Sequence, residues 1–73
     1  MELQKDTIIT LEDSKKYIVD SITFYGGVKY ALIKNEDEQD KEIIEEIIEN
    51  NELFIKKVED QELLSILEGI LKI

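Results

Sequence analysis

The stretch "KEIIEEIIENNELFIKK", Lys41 to Lys57, decides the fold. Ile43, Ile44, Ile47 and Ile48 recur at i, i+1, i+4 and i+5, a helical spacing, and glutamate is a good helix former. As a strand, each face would carry alternating Ile and Glu, which is a poor amphipathic pattern. Against a helix stand four β-branched residues, the Asn50-Asn51 pair and the β-like "LFIKKV" directly after it. Asparagine tolerates left-handed conformations, so Asn50-Asn51 can turn a hairpin. On pattern alone, residues 41–50 read as helix or strand, with the isoleucine spacing on the helical side.

The flanking segments are plainer. "TIITL", Thr7 to Leu11, is a short β-branched run, and "EDSKK" follows as a polar turn. "YIVDSITFY", Tyr17 to Tyr25, is the next strand candidate. Its apolar residues sit on both parities (Ile18, Ile22 and Phe24 against Tyr17 and Val19), which predicts that both faces are partly covered. Gly26-Gly27 supplies positive φ at two consecutive positions, as a two-residue hairpin turn requires. "VKYALIK" then returns with Val28, Tyr30 and Leu32 on one face. A phosphate loop would need a helix N-terminus after the glycines, so this turn is read as scaffold. "NEDEQD", Asn35 to Asp40, is a loop crowded with like charge.

Downstream, Asp60 is placed to cap a helix, with Glu62 in its first turn where the dipole favours an acid. At about 100° per residue, Leu63, Leu64, Ile66, Leu67, Ile70, Leu71 and Ile73 share one side. That broad apolar face needs a sheet to cover. Residues 1–73 therefore read as one small α+β domain: 1–6 polar and expected to fray, 7–58 sheet, 60–72 helix.

Composition narrows the function. The 73-residue chain has no cysteine and no histidine, which removes disulfides, thiolate metal sites, Cys nucleophiles and imidazole acid–base chemistry. Its 18 acidic residues outnumber 9 basic ones, for a net charge of −9. Every basic residue is lysine, so no guanidinium fork is present for bidentate phosphate or guanine contacts. Direct nucleic-acid binding and binding to an anionic membrane are disfavoured by the same repulsion. The N-terminal "MELQKDTIITLEDS" lacks an apolar run after a basic start, so no signal peptide is expected. No apolar run approaches the ~18 residues of a membrane span. A soluble, cytoplasmic protein is the expectation.

The chain resembles the YrzB-like family of short acidic bacterial proteins, a domain-of-unknown-function family. The similarity rests on "IITLED" (Ile8 to Asp13), "YIVDSITFYGGVKYALI" (Tyr17 to Ile33) and "EIIEEIIENNELFIKKVEDQELLSIL" (Glu42 to Leu67), and it spans roughly residues 7–70. It implies an antiparallel β-meander of four to five strands, with hairpin turns at Gly26-Gly27 and Asn50-Asn51, closed by one C-terminal helix. It also moves residues 42–49 toward strand, paired with "LFIKKV". No catalytic or binding residues come with it.

Candidate sites are few. Asn35, Asp37, Gln39 and Glu46 fall at positions 1, 3, 5 and 12 of a calcium-loop spacing, but Asp40 stands where that loop needs glycine. A solvated charged loop is expected instead. Asp20, inside an apolar run, is the best candidate for a buried acid, yet it is expected to point outward or to meet a lysine or a backbone N–H. Ser14, Ser21 and Ser65 have no histidine base. Tyr17, Phe24, Tyr25, Tyr30 and Phe54 could stack bases only with a basic groove around them, so core and cross-strand packing is expected for most. Tyr25, beside the glycine turn, is the expected exposed contact. No catalytic, metal or cofactor residue is assigned. The expected role is a non-enzymatic protein-interaction module, monomeric or a weak homodimer. The alternative is an acidic, nucleic-acid-mimicking inhibitor of a DNA- or RNA-acting protein.

Overall fold

A computed structural model describes residues 2–11, 14–35 and 40–72. Five strands and one helix follow in chain order: β1 (Ile8–Thr10), β2 (Lys16–Tyr25), β3 (Val28–Asn35), β4 (Lys41–Glu49), β5 (Glu52–Lys57) and α1 (Gln61–Leu71). Each strand pairs antiparallel with the next, so the sheet is an uncrossed α+β meander, β1-β2-β3-β4-β5.

The helical alternative for residues 41–50 is corrected: this segment is the strand β4. The reason lies in the glutamates that spoil its alternation. Glu42 meets Lys57 at 3.2 Å, Glu45 lies opposite Lys56, and Glu46 meets Lys29 at 3.2 Å. Three of the four glutamates of β4 thus have a lysine on a neighbouring strand, Glu49 facing Glu52 instead, and opposite charges across a ladder stabilise it. A helix would have kept the isoleucines together but left β3 and β5 without a strand between them.

The turns follow their residues. Gly26 and Gly27 have φ of 59° and 79°, and Asn50 and Asn51 have 51° and 66°. Positive φ at both central positions is the type I′ pattern, whose twist matches the flanking strands. Asparagine carries some strain there and glycine little. Asn51→Gly is therefore expected to stabilise the domain by a few tenths to about 1 kcal/mol, and Asn51→Val to destabilise it by about 1–2 kcal/mol. Thermal unfolding of the two variants checks both signs.

The mixed parity of β2 has a structural cause. Val19 faces Ile33 but Ser21 faces Leu32, so Asp20 is an extra residue in the ladder, a β-bulge. The bulge flips the alternation. Tyr17 and Val19 before it share a face with Ile22 after it. That face also carries Leu3, Ala31, Ile33 and Ile44, with Ile9, Leu11, Leu53 and Ile55 against them. Residues of the first and last strands thus reach one core, which requires the ribbon to curl.

The opposite face carries Tyr30, Leu32 and Ile43, and α1 covers it. Asp60 caps the helix as expected: its carboxylate accepts the backbone N–H groups of Glu62 (2.9 Å) and Leu63 (3.2 Å). Lys72, in a left-handed conformation, donates its N–H to the Glu68 carbonyl and ends the helix. Leu67 is fully buried, and Leu63, Leu64 and Leu71 pack beside it. Ile66 and Ile70 stay exposed, so the helix uses a narrower stripe than its apolar arc provides. Ile73 lies outside the described residues.

Within the segment expected to fray, Leu3 stands apart. Leu3 is only 2% exposed and joins the core of the curled face. A lone leucine in a polar run carries no periodic signal, but its backbone is held on both sides, as described below.

Candidate interaction surface

Charged groups converge at one place on the curled face. The Lys29 side chain lies 3.2 Å from the Glu46 carboxylate, and both are largely buried. Lys29 Nζ also donates to the Leu3 carbonyl at 2.7 Å, while the Leu3 N–H donates to Glu46 Oε2 at 2.6 Å. Glu2 lies 3.7 Å from Lys29 at the surface. One ion pair therefore satisfies both polar groups of the Leu3 backbone and seats its side chain in the core. Among the described residues its close partners are the Leu3 backbone and Glu2, so the pair clamps this segment to β3 and β4.

Of the calcium-loop spacing, only Asn35 and Glu46 are among the described residues. Glu46 belongs to that clamp, in the middle of β4. Asn35 ends β3 and donates its side-chain amide to the Asp40 carboxylate at 3.1 Å. Asp37 and Gln39 lie outside the described residues. Among the described residues, no group of three or more acids is placed to share a metal ion.

Asp20 behaves as a surface carboxylate. Ser21 Oγ donates to it at 3.0 Å and Lys34 Nζ lies 3.5 Å away. The Ser21 hydrogen bond, against a smaller opposing effect of burial and with help from Lys34, holds its pKa below 3.8. The folded state thus holds this proton less tightly than the unfolded chain. The stabilisation is in place above the unfolded value and is lost as pH falls through the folded one. An NMR titration is expected to find the Asp20 midpoint below 3.8, and Ser21→Ala is expected to move it upward. Ser21 is thereby occupied, and Ser14 and Ser65 are exposed.

The aromatic expectation holds for Tyr17 and Tyr30, which are buried. Burial, aided by the nearby Glu45 charge, raises the Tyr30 pKa above its ordinary value. Its contribution to stability is present at neutral pH and falls as pH rises past about 10. Core packing is corrected for Phe24 and Phe54: they are 69% and 47% exposed, because each sits near a hairpin end beyond the reach of the cores. Tyr25 is 41% exposed, as expected.

Two of these exposed rings, Tyr25 and Phe54, share a face, while Phe24, opposite Lys29, is on the other. Tyr25 lies opposite Val28, and Ile47 opposite Phe54. The β3–β4 ladder ends at Tyr30 and Glu45, and the same register carried two residues further would set Val28 beside Ile47. Tyr25 with Val28, and Ile47 with Phe54, thus lie at the hairpin end of the helix-bearing face. The parity of the strands carried this signal, but only once β4 is read as a strand.

Two grooves complete the surface. One, of about 310 Å³, lies beside the helix and is lined by Leu32, Glu42, Ile43, Lys57, Val58 and Leu64 among others. Glu42 Oε2 is buried there without a hydrogen-bond partner among the described residues, while Oε1 takes Lys57. The second, of about 700 Å³, runs between Thr10-Leu11 and the outer edge of β5. Among the described residues no helix is long and apolar enough to cross a membrane. Comparison with known proteins finds no matching family model, no matching curated protein and no matching solved structure.

Proposed function

We propose that this chain is a non-enzymatic protein-interaction module of the cytoplasm, akin to the short acidic proteins it resembles. The observation that carries this reading is the apolar row Tyr25, Val28, Ile47 and Phe54 on a surface of net charge −9. Exposed aromatics such as Tyr25 and Phe54 are side chains that protein interfaces favour. The net charge of −9 disfavours nucleic acid and anionic membrane as partners. A second reading rests on the acids themselves: Glu59, Asp60, Glu62 and Glu68 are exposed in and just before α1. Such an array could occupy the basic site of a DNA- or RNA-acting protein in place of phosphates.

The two readings separate in one experiment. The chain and its Phe54→Ser variant are used as bait at low and high salt. A partner held through the apolar row persists at high salt and is lost with Phe54→Ser. A basic nucleic-acid enzyme released by salt, and indifferent to Phe54→Ser, supports the inhibitor instead.

A further inference from the structure

We propose that the module's partner includes a second copy of itself, joined edge to edge through β5 into a continuous sheet. The inference rests on the interaction-module reading and names one occupant for the bare edge.

Among the described residues, β5 is the last strand of the sheet and pairs only with β4. Its outer side borders the open groove of about 700 Å³, across which stand Thr10 and Leu11 without pairing to it. An unpaired edge offers a row of N–H and C=O groups to any strand that can match it. The sequence of this edge, "ELFIKK", matches itself when reversed. A two-fold axis perpendicular to the sheet keeps each face on its own side, so residues that meet across it must share parity. Of the registers that obey this, the one centred on Phe54 sets Glu52 against Lys56 of the second copy, twice. It also stacks Phe54 on its equivalent and places Leu53 against Ile55. Shifting the centre to Leu53 or Ile55 removes both charge pairs and sets Phe54 against a charged residue.

The charges inside one chain favour the same register. Glu52 lies opposite Glu49 on β4, a like pair that weakens the ladder, whereas Lys56 lies opposite Glu45. Across the dimer axis, Lys56 of the second copy would sit on the free side of Glu52. The row would then read Glu45, Lys56, Glu52 and Glu49, its one like pair relieved by the cation beside it. The rows of Ile47 and Phe54 would likewise join into one apolar band across both copies.

Sedimentation velocity of the full chain, from micromolar to near-millimolar concentration, tests this. The wild type is expected to pass from monomer to dimer. Glu52→Lys or Lys56→Glu alone sets like charges together and is expected to weaken dimerisation by about tenfold or more. The double variant exchanges the partners and is expected to restore it. Phe54→Ser is expected to lose it. Circular dichroism of each variant confirms that the monomer stays folded, and either single reversal suffices should the other fail to fold. A wild type monomeric throughout, or single and double reversals that associate alike, would overturn the proposal. If the wild type is monomeric but still holds a partner through Phe54, the dimer fails and the module reading stands; if it holds none, both fail.

Discussion

Glu46→Ala is expected to destabilise the domain by about 3–5 kcal/mol, the cost of leaving a buried charge without its partner. The effect is large because Glu46 does two things at once: it neutralises Lys29 at 3.2 Å and accepts the Leu3 N–H at 2.6 Å. Its loss strands the Lys29 ammonium in the core and frees the segment that carries Leu3. A chain of 73 residues has roughly 4–11 kcal/mol of total stability, so the variant should lie near the edge of folding. Urea unfolding measures it. Glu46→Gln keeps an acceptor for Leu3 but not the charge, and should fall between the two. The double variant Lys29→Met with Glu46→Leu should recover part of the loss, because it removes both buried charges. A cost below about 1 kcal/mol for Glu46→Ala would mean the pair is solvated and the clamp is not holding.

Leu67→Ala should have a comparable effect, about 2–5 kcal/mol, for a different reason. Leu67 is the one helix residue buried completely, set among Tyr30, Leu32 and Ile43. An isolated helix of 11 residues is marginal in water, so α1 persists through its packing. Removing the central anchor should lower the helical circular dichroism signal together with stability. Ile66→Ala, at an exposed position on the same helix, should cost less than about 1 kcal/mol. Equal costs for the two would mean that the helix sits differently on the sheet.

Much of this architecture was legible because local chemistry dictated it. Gly26-Gly27 fixed one hairpin, Asp60 fixed the start of the helix, and the leucines fixed the side it buries. β4 was legible only in part. Its isoleucines have a helical spacing, and its glutamates look misplaced on a strand until Lys29, Lys56 and Lys57 are brought alongside by folding. Those pairs join residues far apart in the chain, and one sequence holds no record of them. Leu3 was hidden for the same reason, since the partners of its backbone lie on β3 and β4. The exposure of Phe54 was missed because β propensity predicts a strand and not whether that strand ends the sheet.

The strand character of Lys41–Glu49 supports everything built on it: the clamp, the apolar row and the free edge of β5. Backbone NOEs test it most directly. Cross-strand contacts from Ile44 to Ala31 on one side and to Lys57 on the other are expected. Contacts from each residue to the one three positions on, running from Glu42 to Glu49, would contradict the account.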